Sequence, residues 1–410
     1  MKVVVVGSGG REHALVEVLG RTAEVVVTPG NPGIPGSTPT PVEDLVADGS
    51  VDLVVVGPEL PLVDGLADLL RACGVRVFGP GADGARVEGS KTYMKDLALA
   101  AGLPTARYGT FTEVEPALEF LRTLPGLYVV KTDGPAAGKG VFVSGSLAEA
   151  EADVRDKLAG SSFGDVGRRV VIEEGLTGPE VSVFAICDGT RTVCLPAAQD
   201  FKRVGDGDVG PNTGGMGAWS PLPFVAEGFA DDVARRFVEP TLAALRGRGI
   251  DYRGVLYAGL MVTPDGPKLI EYNIRFGDPD SQVVLLRMTS DLAALLAAAA
   301  AGDLTAVPMP TFGDDAAVLV VAASEGYPIA PRIGDVIGGL DAARSVEGVT
   351  VLSAGVKADA EGRLVTAGGR VLDVVGRGPD VVTARDRAYE AVARLSWPGL
   401  HHRTDIAAEG

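Results

Sequence analysis

The segment GVLYAGLMVTPDGPKLIEYNIRF, residues 254–276, decides the fold of the middle of the chain. Two apolar runs flank a turn at residues 264–267, so the pattern predicts an antiparallel hairpin. Side chains of a strand alternate between its two faces. On the second strand this alternation places the polar residues on one face and the apolar residues on the other: Glu271, Asn273 and Arg275 against Ile270, Tyr272, Ile274 and Phe276.

The three polar side chains predict a site that handles phosphate. A carboxylate and an amide oxygen two positions apart suit a hard cation such as Mg²⁺ beside a phosphate. Arg275 can hold a carboxylate or a phosphate on the same face. A strand with one hydrated polar face is the commoner explanation of such a pattern. The turn before the strand and the sequence FGDPDSQ at residues 276–282 make that explanation less attractive.

Residues 1–80 alternate β-branched runs with helical stretches, which predicts parallel βαβ units. Glycine follows these strands, at the edge where open α/β sheets bind ligands. Strands are expected at residues 2–6, 24–28, 52–56 and 75–78, and helices at residues 11–19 and from Glu59 to about Ala72.

The Gly-rich turn GSGGRE at residues 7–12 joins the first strand to the first helix. Such a turn can present backbone N–H groups to a phosphate. The dinucleotide fingerprint requires Gly or Ala where Glu12 stands, and an acidic residue at the end of the second strand, where Thr28 stands. Nicotinamide and flavin binding are therefore disfavoured. A phosphate-bearing ligand remains favoured over a turn that serves packing alone.

The segment KTDGPAAGKGV at residues 131–141 predicts a hairpin that can cover phosphates. A strand at residues 127–130 leads into Lys131, and another strand follows at residues 141–143. The segment is not a Walker A loop, because its last position fails and no helix follows. Lys131 and Lys139 would supply positive charge. A surface hairpin with solvated lysines explains the segment equally well.

Three acidic residues and one polar loop add further candidates. Glu173 and Glu174 end an apolar strand, and Glu180 begins the next. Carboxylates there can hold ribose hydroxyls or an amino group, although ordinary surface acids are the better explanation of this pattern alone. The loop at residues 199–217 is too polar to form a core, so it is either functional or disordered. Its candidates for binding a small polar substrate are Asp200, Lys202, Arg203 and Asn212.

The pattern as a whole predicts a multidomain protein of the α/β and α+β classes. Residues 1–100 form the parallel α/β domain, a second unit covers residues 105–310, and residues 313–410 are β-rich. Within these units the expected elements are mainly strands and Gly turns at residues 127–187, helices at residues 226–246 and 286–302, a strand at residues 316–323 and a hairpin at residues 362–378.

Composition excludes several classes of function. The net charge is −17, so the basic surface of a nucleic-acid-binding protein is absent. The three Cys form no CxxC pair, which disfavours disulfides and thiolate zinc sites and favours a reducing compartment. They are expected to be buried thiols. His401 and His402 are expected in a solvated tail, so any metal would be a hard cation held by oxygen.

Neither candidate for membrane targeting is long enough. The apolar stretch at the N-terminus has five residues, too few for the apolar region of a signal peptide. The Ala/Leu run at residues 292–301 is too short to span a bilayer. No membrane partner is therefore expected, and the chain is expected to be cytoplasmic.

The chain resembles the glycinamide ribonucleotide synthetase family of the ATP-grasp superfamily along nearly its whole length. The segment at residues 199–221 is very specific, whereas a Gly-rich segment such as 134–141 is weak when it stands singly. The segments that carry the resemblance are, in order, GSGGREHAL (7–15), VVVGPELPLV (54–63), EGSKTYMKD (88–96), GPAAGKGV (134–141), QDFKRVGDGDVGPNTGGMGAWSP (199–221), GVLYAGLM (254–261), EYNIRFGDPDSQ (271–282) and LVTAGGRVL (364–372).

The resemblance implies an N-terminal α/β domain, an ATP-grasp body with a small lid subdomain at about residues 115–187, and a C-terminal β-rich domain. It also implies the roles of individual residues. Lys91 and Lys131 would contact the phosphates of ATP under a loop at residues 136–140. The further ATP-binding residues would be Ala137, Gly138, Lys139, Gly140, Glu173, Glu174 and Leu176, with Glu180 at the ribose. Glu271 and Asn273 would bind Mg²⁺ or Mn²⁺.

The same resemblance implies the substrates and the reaction. Glycine's carboxylate would attack the γ-phosphate of ATP, and the amine of 5-phosphoribosylamine would then attack the resulting glycyl phosphate, a step of purine biosynthesis. Arg275 and Lys131 would be catalytic, and the protein would act as a monomer. Phosphoribosylamine would lie at Gly9, Gly10, Arg11, Glu12, Gly57, Pro58 and Glu59. Glycine and the amine would meet near Asp200, Lys202, Asn212, Gly214, Gly215, Met216 and Arg275.

Three alternatives are weaker. Another ATP-grasp ligase, such as a carboxylase of the purine or biotin type, is disfavoured by the segment at residues 199–221. A nucleotide-binding protein without catalytic activity is disfavoured by Lys131, Glu271 and Asn273, which are all present. A dehydrogenase is disfavoured by Glu12.

Overall fold

The N-terminal residues fold as the predicted parallel α/β unit. The computed structural model describes residues 1–134, 140–160 and 168–408. The first elements are β1 (Lys2–Gly7), α1 (Gly10–Leu19), β2 (Glu24–Pro29), α2 (Val42–Val46), β3 (Leu53–Val56), α3 (Glu59–Val63), α4 (Leu66–Ala72), β4 (Val77–Phe78), α5 (Ala82–Gly89) and α6 (Lys91–Ala100). The four strands are parallel in the order β2-β1-β3-β4, and the valines of β1 and β3 are buried.

The helix predicted from Glu59 to Ala72 is two helices, so that prediction was wrong. Gly65 separates α3 from α4 with φ 87°, a left-handed conformation that glycine adopts without a steric cost. Strands β1 and β3 run parallel, so the loops that follow them lie at the same edge of the sheet. This brings residues 57–59 beside the turn at residues 7–12.

The next unit is a small antiparallel sheet with two helices on it. Its elements are β5 (Tyr108–Phe111), α7 (Val114–Leu121), β6 (Tyr128–Thr132), β7 (Val141–Ser144), α8 (Leu147–Leu158) and β8 (Val170–Glu174). The strand order is β5-β8-β6-β7. Helix α8 corrects the expectation of mainly strands and Gly turns at residues 127–187. Its buried stripe contains Ala150, Val154 and Lys157, too few apolar residues to predict a helix from the sequence.

The predicted hairpin is present in a second antiparallel sheet. Its strands are β9 (Glu180–Asp188), β10 (Thr192–Cys194), β15 (Arg253–Thr263) and β16 (Gly266–Asn273), in the order β10-β9-β15-β16. A β-bulge corrects the predicted alternation, because Gly259 pairs with Glu271 while Leu260 pairs with Leu269. Leu269, and not Ile270, therefore shares the buried face with Tyr272, whereas Glu271 keeps the polar face.

Short strands and helices connect this sheet to the rest of the chain. They are β11 (Gln199–Asp200), β12 (Arg203–Gly205), β13 (Val209–Asn212), β14 (Gly217–Ser220), α9 (Phe229–Val233), α10 (Glu239–Gly247), α11 (Asp280–Leu285) and α12 (Leu292–Ala301). A π-helical turn, Ala234–Val238, joins α9 to α10 and completes the predicted helix. The Ala-rich helix begins at Leu292 instead of residue 286, because the Asp291 side chain caps it by accepting from Ala294 N.

The last sheet combines strands from the centre and the end of the chain. Its C-terminal elements are β17 (Ala316–Ala323), α13 (Leu340–Arg344), β18 (Val349–Ser353), β19 (Val356–Ala358), β20 (Leu364–Thr366), β21 (Arg370–Gly378) and α14 (Val381–Val392). The five-stranded order is β11-β14-β17-β21-β18. The hairpin predicted at residues 362–378 was wrong, because β20 pairs with β19 while β21 pairs with β17 and β18.

The C-terminal residues are packed on this sheet, so the expected solvated tail was wrong. His401 exchanges two backbone hydrogen bonds with Ala323, and its Nε2 lies 2.9 Å from Val204 O. Arg403 is 1% exposed. Its guanidinium contacts Asp208 at 2.6 Å and Asp405 at 2.7 Å. The tail therefore anchors the loop that carries Asp208.

The environments of the cysteines agree only partly with expectation. Cys187 is buried and Cys194 is half-buried, whereas Cys73 is exposed and corrects the prediction of three buried thiols. His13 is also buried, and its Nδ1 accepts from Ser353 N at 2.7 Å.

Across the three described ranges of the chain, no helix has the length and apolarity that a membrane span requires.

The buried arginine gives a test of the C-terminal packing. Arg403→Ala should cost about 2 kcal/mol of stability, because Asp208 and Asp405 lose their cation. Calorimetry should show a fall in Tm of a few degrees. Arg332 is the matched control, because it also pairs with two carboxylates, Glu325 and Asp335, but is half-exposed. Arg332→Ala should cost less than about 1 kcal/mol. Equal losses in the two variants would contradict the anchoring role.

Candidate active site

A carboxylate held between two ammonium groups lies at the junction of three elements. Glu173 near the end of β8 contacts Lys131 of β6 at 2.8 Å and Lys95 of α6 at 2.6 Å. Lys95 Nζ also donates to Thr105 Oγ1 at 2.8 Å. All three charged side chains are buried. Lys95 was not predicted from the sequence. Its position one helical turn after Lys91 could have indicated it.

The charges of this group depend on one another. Burial lowers the pKa of Lys95 to about 8, and Glu173 opposes that fall. Burial alone would raise the pKa of Glu173, but Lys131 and Lys95 hold it below its ordinary value. With both ammonium groups charged, two positive charges face one negative charge. The group therefore carries a net positive charge, as a phosphate-binding site requires.

The start of α6 is tied to the end of β6. Asp133 accepts hydrogen bonds from Thr92 N at 3.1 Å and from Ser90 Oγ at 3.0 Å. Lys91 Nζ donates to Gly134 O at 3.1 Å. These contacts bring Lys91 to the same cleft as Lys131. Gly140 pairs through its carbonyl with Thr132 N. Of the predicted phosphate loop, Ala137, Gly138 and Lys139 lie outside the described residues.

Glu271 is a half-buried carboxylate surrounded by cations. Burial alone would raise its pKa, but four cations hold the pKa below its ordinary value: Lys202, Lys131, Lys91 and Arg275. Asn273 Oδ1 lies two positions further along β16 and accepts weakly from Arg275 Nη2 at 3.4 Å. An ionised carboxylate with a neighbouring amide oxygen fits Mg²⁺, which usually takes one or two protein carboxylates and completes its shell with water and phosphate oxygens. Among the described residues, no three acidic, His or Cys side chains form a metal-binding group of their own.

A second ion pair lies on the neighbouring strands. Lys202 Nζ contacts Glu180 at the start of β9. Burial would lower the pKa of Lys202, but Glu180 and Asp200 raise it well above its ordinary value. Burial raises the pKa of Asp200 to about 7, against the opposing effect of Lys202. Asp200 and Lys202 therefore interact electrostatically with Glu271, and Glu180 is paired with Lys202.

Arg275 is fixed between two helices of the N-terminal domain. Its guanidinium contacts Glu88 of α5 at 3.1 Å and lies 3.7 Å from Glu59 of α3. Glu88 also accepts from Ile274 N at 2.8 Å. Burial would lower the pKa of Arg275, but Glu88 and Glu59 raise it above its ordinary value. Glu88 was not predicted from the sequence.

The turn at residues 7–12 is filled by its own glutamate. Glu12 accepts from Gly9 N at 2.6 Å and from Arg11 Nε at 2.6 Å. Arg11 Nη1 donates to Phe276 O at 3.1 Å. A Cβ at Gly57 would lie 2.0 Å from Glu12 Oε1, so any larger residue there would displace the Glu12 side chain. The Glu12 carboxylate therefore binds the backbone of its own turn, at the position where the dinucleotide fingerprint requires Gly or Ala.

The loop at residues 212–216 meets the C-terminal sheet. Gly214 O accepts from Arg370 Nη1 at 2.8 Å, and Gly214 N donates to Tyr327 Oη at 3.0 Å. Gly215 has φ 118°, and a Cβ there would lie 2.3 Å from Pro279 Cδ. Met216 is buried, and Asn212 ends β13 opposite Arg203. Arg370 and Asp278 were not predicted for this region.

Glu174 and Leu176, which are predicted to bind the nucleotide at the end of β8, are less buried than Glu173. Glu174 Oε1 accepts from Arg107 N at 3.0 Å, and Leu176 is half-buried in the segment between β8 and β9. Pro58 precedes α3 as its N-cap.

The structure therefore brings Lys91, Lys131, Glu173 and Glu271 into one charged cleft, with Arg275 and Lys202 at its sides.

Comparison with known proteins agrees with this architecture. Three models of phosphoribosylglycinamide synthetase match in order: the N domain at residues 1–88, the ATP-grasp (A) domain at residues 89–281 and the C domain at residues 317–409. The chain belongs to the phosphoribosylglycinamide synthetase family. The resemblance seen in the sequence, and the fold class that it implied, are confirmed.

Individual members of the phosphoribosylglycinamide synthetase family are similar over their full length. A phosphoribosylamine–glycine ligase of Xylella fastidiosa is 47% identical, with 99% of this chain and 97% of that protein covered. The crystal structure of a phosphoribosylamine–glycine ligase of Thermotoga maritima has a TM-score of 0.86 at 33% identity and covers 99% of this chain and 100% of that chain.

A more distant likeness concerns the fold alone. The biotin carboxylase domain of a Hydrogenobacter thermophilus 2-oxoglutarate carboxylase has a TM-score of 0.74 at 15% identity, with 98% of this chain and 91% of that chain covered. At this identity the ATP-grasp fold is shared, and no activity follows for this member of the phosphoribosylglycinamide synthetase family.

A double-mutant cycle tests the Lys95–Glu173 pair. Lys95→Met, Glu173→Gln and the double variant should show a coupling of about 2 kcal/mol, because each single change leaves the other charge poorly compensated in a buried site. Unfolding free energies of the wild type and the three variants give the coupling. The exposed pair of Arg122 and Glu151 is the control, with an expected coupling below about 1 kcal/mol. Additive losses at Lys95 and Glu173 would show that the buried contact has no energetic role.

Proposed function

We propose that the chain joins glycine to 5-phosphoribosylamine and converts ATP to ADP and phosphate, by way of glycyl phosphate. The observation that carries the proposal is the arrangement of Lys91, Lys131, Lys202 and Arg275 around the ionised Glu271. This arrangement suits phosphoryl transfer to a carboxylate, in which the protein mainly positions the reactants and neutralises charge. The Xylella fastidiosa and Thermotoga maritima relatives, named phosphoribosylamine–glycine ligases, support the choice of substrates.

The phosphates of ATP would lie between α6 and β6. Lys91 and Lys131 would contact their oxygens, and Gly140 with Ala137, Gly138 and Lys139 would cover them. Glu271 and Asn273 would hold Mg²⁺ or Mn²⁺, which when bound neutralises the phosphate oxygens and orients them. The pair of Lys95 and Glu173 keeps Lys131 in place without a ligand, so little reorganisation is needed when ATP binds.

The nucleoside would lie at the end of β8 and the start of β9. The carboxylate of Glu173 is engaged by two lysines, so the adenine would meet the backbone at residues 174–176, including Glu174 and Leu176. Glu180 would hold the ribose, with Lys202 beside its carboxylate.

The acyl transfer would take place beside Arg275. Glycine's carboxylate attacks the γ-phosphorus of ATP, and the bond from the γ-phosphorus to the bridging oxygen breaks as ADP leaves. The amine of phosphoribosylamine then attacks the acyl carbon, the C–O bond to phosphate breaks, and the amine loses a proton. Arg275 would stabilise negative charge at both steps. The region would be lined by Asp200, Lys202, Asn212, Gly214, Gly215 and Met216.

The phosphoribosyl group would lie at the carboxyl edge of the N-terminal sheet. Residues 7–12 and 57–59 meet there, and α1 directs its N-terminal end toward that edge. Glu12 fixes the backbone of this turn, with Gly9, Gly10 and Arg11 on one side and Gly57, Pro58 and Glu59 on the other. A monomeric state and a cytoplasmic location stay predictions.

A coupled assay of ADP release tests the reaction. With ATP and Mg²⁺ present, glycine and freshly made phosphoribosylamine should support turnover only when both are added, and glycinamide ribonucleotide should form in equal amount to ADP. Turnover with another carboxylate–amine pair, or none with any pair despite folded protein that binds ATP, would contradict the proposed substrates.

Glu271→Gln tests the metal and phosphate site. The change keeps the shape of the side chain but removes the charge that the surrounding cations compensate, so kcat should fall by at least about 100-fold and the Mg²⁺ concentration for half-maximal rate should rise. Steady-state kinetics at several Mg²⁺ concentrations measure both effects. Glu347→Gln, at a side chain that is 90% exposed, is the control and should leave both values unchanged. Unchanged Mg²⁺ dependence in Glu271→Gln would remove Glu271 from the metal site.

A further inference from the structure

The segment LVTAGGRVL at residues 364–372 carries a partly buried polar contact that the proposed reaction does not use directly. Arg370 begins β21, in the C-terminal part of the five-stranded sheet. Its Nη1 donates to Gly214 O at 2.8 Å and to Asp278 O at 2.9 Å, and its Nη2 donates to Asp278 Oδ2 at 2.7 Å. One guanidinium therefore holds two loops that are far apart in sequence.

We propose that Arg370 is a positioning residue for the acceptor region, where it fixes the loop at residues 213–216 and the Asp278 turn against the start of α1. The inference rests on the proposed function, in which this loop lines the region where glycine and the amine meet. Arg370 acts through Gly214 and Asp278. A residue of the C-terminal domain thereby sets the geometry of a site built mainly from the other domains.

The second oxygen of Asp278 is fixed as well. Gln282 of α11 donates its Nε2 to Asp278 Oδ1 at 2.8 Å and to Asp373 Oδ2 at 3.2 Å. The Asp278 carboxylate is thus held by Arg370 on one side and by Gln282 on the other. Burial alone would raise the pKa of Asp278, but Arg370 and Arg11 hold it below its ordinary value. An ionised and doubly fixed carboxylate has one orientation, which a positioning role requires.

The glycines at this junction show how closely its parts approach. A Cβ at Gly10 would lie 1.8 Å from Asp373 Oδ2, and one at Gly215 would lie 2.3 Å from Pro279 Cδ. A Cβ at Gly9 would lie 3.8 Å from Asp278 Oδ2. The start of α1, the Asp278 turn and the loop at residues 213–216 therefore meet at one place. A shift of the loop at residues 213–216 would therefore displace the turn where phosphoribosylamine is proposed to lie.

The geometry requires an arginine and not merely a positive charge. The contacts with Gly214 O, Asp278 O and Asp278 Oδ2 use two nitrogen atoms of one planar group. A lysine has a single ammonium on a flexible chain and cannot reproduce this planar fork. Arg370→Lys therefore keeps the charge but should lose the fixed arrangement.

Kinetics of Arg370→Lys test the role. The KM values for glycine and phosphoribosylamine should rise at least about tenfold, while the KM for ATP changes less than about twofold, because the contacts of Arg370 lie away from Lys91 and Lys131. Arg385→Lys is the matched control, because Arg385 also holds two backbone carbonyls, those of Thr404 and Ile406, at a distance from the cleft. It should leave every constant unchanged. Equal effects on all three KM values, or none, would overturn the proposal.

Hydrogen exchange provides a readout that does not depend on catalysis. In Arg370→Lys the amides of residues 213–216 should exchange at least about tenfold faster than in the wild type, and in Arg385→Lys they should not. Unchanged exchange in folded Arg370→Lys overturns the positioning role even if the wild type proves to use other substrates. Wild-type turnover with glycine and phosphoribosylamine, combined with unchanged exchange, would leave the proposed function standing and remove this inference alone.

Discussion

Glu173 is buried between the ammonium groups of Lys95 and Lys131, and this arrangement connects α6, β6 and β8. A carboxylate that is removed from water loses several kcal/mol of hydration, and the attraction of a neighbouring cation offsets that loss. The lysines have the same need for the carboxylate. The three elements must therefore keep one relative position for all three charges to be compensated, and the phosphate side of the cleft is held in place before any ligand binds.

The same constraint applies to the rest of the cleft. Glu271 stays ionised because Lys202, Lys131 and Lys91 lie around it, and Arg275 is fixed by Glu88 and Glu59. Each charge that the proposed reaction uses is thus paired with a group on another element. Charges that are fixed in advance need little rearrangement when negative charge moves from a carboxylate to a phosphate, which is how an ATP-dependent ligase without a covalent nucleophile can work.

Local patterns in the sequence predicted most of the strands and helices. They could not predict which strands pair when the strands lie far apart along the chain. The parallel strands of the N-terminal domain and the β15–β16 hairpin follow from periodicity. The bulge at Ile270 does not, because it depends on which residues of β15 face Leu269 and Glu271. The pairing of β21 with β17 was missed for the same reason, because three other strands separate the two along the chain.

For the candidate site as well, local patterns indicated single residues but not their distant partners. Glu271, Asn273 and Arg275 stand out because they share one strand face. Residues that contact each other from distant parts of the chain do not stand out in this way. Glu88 lies 187 residues before its partner Arg275, and Arg370 lies 92 residues after its partner Asp278. No spacing rule connects such positions. The resemblance to a known family supplied the remaining predictions, and the individual roles that it implies stay predictions for the residues concerned.

Transfer of oxygen from glycine to phosphate is the most direct consequence of an acyl phosphate formed in this cleft. Glycine labelled with ¹⁸O in both carboxylate oxygens, incubated with ATP, Mg²⁺, phosphoribosylamine and the wild-type protein, should yield inorganic phosphate that carries one labelled oxygen per turnover, with the other label in the amide product. Mass spectrometry of the phosphate measures this directly. Unlabelled phosphate alongside labelled glycinamide ribonucleotide would contradict activation of glycine by phosphoryl transfer.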